Sequence, residues 1–331
     1  MNTDLSSRRV PRALSVSIIA VICAILCGGY YFYRYQKVNL TEAKRNELSA
    51  IADLKRSQIV DWRNERMKDG VIIQNNPLIN YTIQSFLQSP ADVRTKNDIL
   101  MWLNVRKSTY RYLSAMLCDT SGKILLSTEQ NDSISLNTQC AVHDAVLSRS
   151  ILFTDLHQIA GSTVIHLDII IPVFDLRKSK KNVTAVVLLR VDPETYLYPL
   201  LKSWPIPGNS FESFIFRRDG DSVLYLSELR HKKNTALRFR LAVTEEHLPA
   251  AVAVRTGERY YEGIDYRGIS VVSVTRMIPG TSWYLIVKMD ADELFAPLQR
   301  ELQIAIFFCF WPVCLEIDAK SPCRISGVVP T

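Results

Sequence analysis

The chain has 331 residues, 47% of them apolar and 22% charged. That balance excludes a disordered or collagen-like protein and leaves room for one large domain or two ordinary ones. Forty Lys and Arg against 33 Asp and Glu give a net charge of +7, but both signs are scattered, so nucleic acid is not an expected partner.

The N-terminal end carries a membrane signal. Residues 13–33, ALSVSIIAVICAILCGGYYFY, contain no charge and match the ~20 residues needed to cross a bilayer. Arg8, Arg9 and Arg12 precede the run, and Tyr30, Tyr31, Phe32, Tyr33 and Tyr35 close it. Basic residues before the span favour an N-terminus inside the cell, and aromatic rings favour the headgroup layer. Large aromatics follow where a cleavage site would need small residues, so the reading is an uncleaved anchor.

Residues 39–70 read as one long helix. Ala43, Leu48, Ile51, Leu54, Ile59 and Trp62 recur at mostly helical spacing between charges. Thr41 is placed to cap it and Gly70 to end it.

The middle of the chain repeats. Residues 110–128 read as strand, turn and strand around Asp119-Thr120-Ser121-Gly122, and residues 211–227 repeat the plan around Asp219-Gly220. The two turn glycines are 98 residues apart. The same offset aligns Asp192 with Asp290, Pro199 with Pro297 and Leu200 with Leu298. Two matches at one offset point to an internal duplication. Each unit continues with a helical or irregular stretch (139–149; 245–256). Each then closes with two strands, 165–174 with 183–191 and 269–277 with 283–288, rich in Val, Ile, Thr and aromatics. The expected fold is therefore α+β: a long N-terminal helix followed by two antiparallel sheets with covering helices, membrane-anchored.

That plan resembles the double Cache sensor modules of bacterial receptors. The runs LYPLLKSWPIP, FRRDGDSVLYLSELRHKKNTALRFRL, EGIDYRG and PGTSWYLIVKMDADELFAPL look most like the extracytoplasmic sensors of PAS-containing histidine kinases and diguanylate cyclases. The resemblance implies a periplasmic sensor anchored in a bacterial inner membrane, a homodimer, and a small-molecule ligand. The expected organisation is a cytoplasmic N-terminus (1–12), a transmembrane helix (13–33), a stalk helix (34–70), a membrane-distal unit (71–200) and a membrane-proximal unit (201–301). A partial second transmembrane segment (302–315) and an irregular tail (316–331) follow. The resemblance also implies a signalling domain after a second span. No phosphoacceptor His box, kinase nucleotide box or cyclase signature is present, so the chain reads as truncated or frame-shifted near its end. The alternative is a stand-alone anchored binding or scaffold protein.

Enzymatic motifs are absent from the sequence: it contains no HExxH, GxSxG, P-loop or GxGxxG. None of His143, His157, His166, His231 and His247 forms a close ligand pair, so neither a metal nor a cofactor is expected. Asp192 with Glu194 and Asp290 with Asp292 read as helix-start residues. Cys118 and Cys140 fall in the exported region, where two thiols can pair if geometry permits.

A PAS-like sheet takes its ligand between its inner strands and the covering helix and loops. The candidate ligand-binding residues are accordingly Tyr110, Tyr112, Asp155, His157, His166 and Asp168. Double Cache modules for amino acids use an Arg-x-Trp-Tyr element, and here Arg111-Tyr112-Leu113 lacks the Trp. In the proximal unit Arg217, Arg218, Asp219, Arg230, His231 and Lys232 read as a solvated hairpin edge, with an anion site as the sharper alternative. Glu262, Asp265, Tyr266 and Arg267 share that ambiguity.

Overall fold

The computed structural model describes residues 12–175, 182–205 and 207–319. Two compact units are distinct among the described residues, 12–47 with 289–319 and 48–288. In the first unit residues 12–47 and 291–319 are helical, and the Lys37 ammonium lies 4.9 Å from the centre of the Phe295 ring.

The long helix, α1 (Arg12–Gln74), covers both the expected span and the expected stalk. No helix among the described residues is long and apolar enough to cross a membrane. Within residues 48–288 one stripe of α1 is buried: Leu48, Ile51, Ala52, Lys55, Ile59, Trp62 and Ile73. From Leu48 to Trp62 these positions follow a three-to-four-residue spacing, and Ile73 lies about three turns further along the same stripe, as a helix packed on one side requires.

Two sequence readings fail here. Thr41 does not cap the helix; its hydroxyl donates to the Lys37 carbonyl, one turn back in the interior. Gly70 does not end it either. A Cβ there would lie 3.2–3.3 Å from Ile151 and Ile171, so the glycine serves close packing of helix against sheet, a tertiary demand with no local signature.

Helices α2 (Pro77–Gln88) and α3 (Val93–Tyr110) follow. The Asn76 side chain accepts from the N–H groups of Leu78 and Ile79, and Asp92 accepts from that of Arg94. These are ordinary N-caps for orphan helix donors. The predicted strand at 110 begins instead at β1 (Ser114–Cys118), after Arg111 ends α3 with φ 55°. β2 (Ile124–Ser127) returns through the predicted turn, with Gly122 at φ 90°. Then come α4 (Leu136–Ser148), β3 (Leu152–Phe153), β4 (His157–Gln158), β5 (Ile165–Phe174) and β6 (Val183–Val191). A 3-10 turn at Pro193–Thr195 and α5 (Leu197–Lys202) lead into the second lobe. That lobe contains β7 (Glu212–Asp219), β8 (Ser222–Tyr225), β9 (Arg240–Ala242), α6 (Pro249–Thr256), β10 (Tyr260–Ile264), β11 (Ser270–Met277) and β12 (Trp283–Asp290). The final helix is α7 (Ala291–Ala319). It runs through the predicted partial span and past 316, where the irregular tail was expected. Residues 320–331 lie outside the described residues.

The duplication is visible in the topology. The first sheet runs β2-β1-β6-β5-β3, with β4 also on β5; the second runs β10-β11-β12-β7-β8-β9. Read from the hairpin inward, β8-β7-β12-β11-β10 retraces β2-β1-β6-β5-β3. Gly220 takes φ 60° in the turn equivalent to that of Gly122. The residues 98 apart therefore occupy matching hairpins.

Each sheet is covered on one face by its own helix. Val142 and Ala145 of α4 pack on Ile170 and Val186 in the first lobe. Ala250, Ala251 and Ala253 of α6 pack with Phe214, Phe216, Tyr225 and Ile286 in the second.

Candidate ligand and metal site in the distal lobe

The strands of the first sheet are apolar runs interrupted by a few polar residues. Register decides what those residues meet. Ser114 of β1 stands opposite Arg190 of β6, and Arg190 stands opposite Asp168 of β5. One step along β5, His166 pairs with His157 of β4. Side chains of directly paired residues share a face, and residues two apart on a strand do so too. A polar row thus crosses one end of the face that α4 covers, beyond the apolar contacts of Val142 and Ala145.

The row is tightly bonded. Asp168 is fully buried; its Oδ1 accepts from Arg190 Nε at 3.1 Å and its Oδ2 from the Thr138 hydroxyl at 2.8 Å. The same hydroxyl lies 3.0 Å from His157 Nε2, and Thr138 is placed there by the Ser135 cap of α4. The Arg190 guanidinium also reaches Asp132 Oδ1 at 3.4 Å and donates to the Ser133 carbonyl at 3.0 Å. The rings of His157 and His166 meet edge to face, 4.4 Å between centres.

Burial and charge oppose each other in this cluster. Burial would raise the Asp168 carboxyl, but the His157 bond and the Arg190 charge hold it below the usual carboxylate value. Burial disfavours the charged form of His157, yet the bond to Asp168 and the Asp155 carbonyl outweigh it and move its pKa up. His166 lacks such a bond, and burial pushes it down to about 4.

Beside the row is a recess of about 470 Å³. It is lined by the loop at Glu129–Ser133, the loop at Ile159–Val164, and by Ser114, His166 and Arg190. Two buried polar atoms on this wall have no hydrogen-bond partner among the described residues: Ser114 Oγ and His166 Nε2. Buried polar atoms are ordinarily satisfied, so both are available to a bound group.

Of the six residues singled out from sequence, the fold brings His157, His166 and Asp168 together. Tyr112 instead donates from its hydroxyl to Asp69 of α1 at 2.9 Å, and Tyr110 lies 6.1 Å from it, under the Arg66 and Arg106 guanidiniums. Asp155 accepts from Trp283 Nε1 at 2.5 Å and pairs with Arg217 at 3.3 Å, so it ties the first lobe to the second. Ser114, Asp132, Thr138 and Arg190 were not anticipated. A signal for one of them was present, because Arg190 is a lone charge inside an apolar strand, where a buried charge needs a partner.

The other sequence candidates resolve plainly. Arg217 and Arg240 both pair with Asp219 along the hairpin. Asp265 is not a solvated turn residue: it is buried against Lys288, which also pairs with Glu212 at 2.8 Å. Cys118 is buried and Cys140 exposed, and both are free thiols.

No family model and no curated protein matches the sequence. Solved structures do match in shape. The ligand-binding domain of the Campylobacter jejuni chemoreceptor Tlp3 in complex with L-norvaline superposes with a TM-score of 0.57 at 13% identity, covering 78% of this chain and 96% of that one. The sensory domain of the same receptor without a named ligand gives 0.56 at 13%, covering 78% and 98%. The Pseudomonas fluorescens chemoreceptor CtaA domain in complex with L-isoleucine gives 0.52 at 16%, covering 79% and 98%. The chain shares the fold of these sensory domains. Its two lobes are the two duplicated units seen in the sequence.

Proposed function

We propose that the chain is the extracytoplasmic ligand-sensing region of a bacterial membrane receptor and binds a small polar molecule in its distal lobe. The observation that carries this is the recess lined by Ser114, His166 and Arg190, two of which hold a buried polar atom without a hydrogen-bond partner among the described residues. The fold supports it, since the structures of like shape are ligand-binding domains of receptors. A molecule carrying both an ammonium and a carboxylate suits a wall with Glu129, Asp132 and Arg190 on it. Amino acids, which two of those domains hold, form the first ligand class to test. In this reading the charge-free stretch 13–33 anchors the chain in the inner membrane and places the sensor in the periplasm. Residues 39–70 provide the dimer contact, and ligand binding shifts the distal lobe between two states whose difference passes to the membrane.

The test is thermal melting of the full chain in detergent, kept in chelator, against amino acids and other small metabolites. A ligand of the recess raises Tm with concentration, and Ser114→Ala with Arg190→Lys reduces the rise. A panel that shifts nothing, or a shift untouched by those changes, overturns the distal-lobe reading.

A further inference from the structure

We infer that His157, His166 and Asp168 form a binding site for a borderline divalent transition-metal ion of the zinc class. The inference does not require that the recess take an organic ligand.

The donor atoms already converge. Asp168 Oδ2 lies 3.5 Å from His157 Nε2 and 4.0 Å from His166 Nε2, and all three donor atoms lie within 4.8 Å of one another. Around a tetrahedral ion with bonds of ~2.0–2.1 Å, donor atoms stand roughly 3.4 Å apart. Closing the set takes shifts of a few tenths of an ångström to about one.

The imidazoles are also held in the right sense. His157 Nδ1 bonds the Asp155 carbonyl at 2.9 Å, and His166 Nδ1 bonds the Val164 carbonyl at 3.4 Å. A carbonyl accepts, so each Nδ1 is a donor; His166 Nε2 keeps its lone pair, and His157 Nε2, which donates to the Thr138 hydroxyl while that hydroxyl donates to Asp168, releases its proton to solvent when the ion binds. Backbone carbonyls orient metal-bound histidines in this way. An independent observation points the same way: His166 is 1% exposed, and its Nε2 has no partner among the described residues.

Charge permits the ion. Arg190 faces two carboxylates, Asp168 and Asp132, so these three side chains carry a net charge of −1 before a divalent cation enters. Asp168 divides its oxygens, Oδ1 to Arg190 and Oδ2 toward the histidines. The Thr138 hydroxyl, now between Oδ2 and His157 Nε2, would give way to the ion. Two imidazoles and one carboxylate suit zinc, cobalt, nickel or copper; calcium and magnesium demand more oxygen donors. His166 lines the recess, so a fourth coordination position faces it.

The experiment uses the full chain in detergent, without a histidine tag, stripped by chelator and titrated calorimetrically with Zn²⁺. One Zn²⁺ per chain is expected. His166→Ala is expected to weaken binding by about 100-fold; His143→Ala, on the exposed side of α4, is expected to change nothing. Absence of stoichiometric binding, or a His166→Ala protein that binds like wild type, overturns the inference. If His166→Ala does not fold, cobalt in the wild-type chain decides. Strong visible bands of a four-coordinate ion, displaced by one equivalent of Zn²⁺, support the site, and the weak spectrum of six-coordinate cobalt refutes it. Small-molecule melts in chelator are separate, so the functional reading and this one fail independently.

Discussion

Single side chains in this protein are governed by burial set against pairing. Cys118 is buried, and loss of solvent pushes its thiol up to about 12. It should resist a maleimide in the folded chain while Cys140 reacts. Peptide mass spectrometry after brief labelling checks this, and modification of Cys118 at the rate of Cys140 contradicts it. Asp265 shows the opposite balance. Burial would raise its carboxyl, but Lys288 and Arg267 hold it below its ordinary 3.8. A depressed folded pKa means that the unfolded chain takes the proton first as the solution is acidified. The stability Asp265 contributes is therefore present above about pH 4–5 and is lost below it. Asp265→Asn should melt lower than wild type at pH 7, and the gap should narrow towards pH 3. A gap that stays constant across that range excludes the pairing.

At the scale of elements, α1 supplies parts that other elements lack. Helix α5 is six residues long, and its last carbonyls have no partner within the helix. Lys55, reaching from α1, donates to the carbonyls of Leu200 at 2.6 Å, Leu201 at 3.3 Å and Ser203 at 2.5 Å. Its ammonium is also 5.1 Å from the Trp204 ring. Lys55→Met keeps the stem and removes the donor; the Leu200 and Leu201 carbonyls keep the Ser203 and Ser213 hydroxyls, and the Ser203 carbonyl loses its lysine bond. The expected cost is about 1–3 kcal/mol, read from denaturant unfolding. An unchanged midpoint would show that water satisfies that carbonyl. Gly70 carries the related lesson that a helix's length and its contacts are set by different neighbours. The helical period of α1 is legible in its own sequence, but the glycine reads as a stop until Ile151 and Ile171 are known to press against it.

Across residues 48–288, contacts through α1 and through Asp155 link the two lobes. Trp62 of α1 meets Phe153 edge to face and stacks on Tyr196, each at 6.0 Å. Arg276 pairs with Asp53 at 2.7 Å. Asp155 of the distal lobe takes the Trp283 indole and the Arg217 guanidinium of the proximal one. Asp155→Ala leaves a buried indole N–H unpaired and severs that tie. Calorimetry should show the single unfolding transition broaden or divide, with a loss of about 1–3 kcal/mol. A sharp, unshifted transition would mean that α1 alone couples the lobes.

The sequence by itself determined the α+β class, the long helix, the strand pairs and the duplication. Those follow from local chemistry: apolar period, turn glycines at positive φ, and a repeated order of elements at one offset. It also named Asp168, His157 and His166 as candidate ligand-binding residues. What it could not convey was company. Ser114, Arg190 and Asp168 lie on strands far apart in the chain, and only the pairing of β1 with β6 and of β6 with β5 sets them in one row. The nine-residue spacing of the two histidines looks unlike a ligand pair until β4 and β5 are seen to register them ring to ring. A shift of one residue would send alternate side chains to the other face. The periodicities and turns are written locally, whereas strand register is fixed by burying both sheet faces at once, and that register alone sets the Ser114 oxygen and the His166 nitrogen beside one recess.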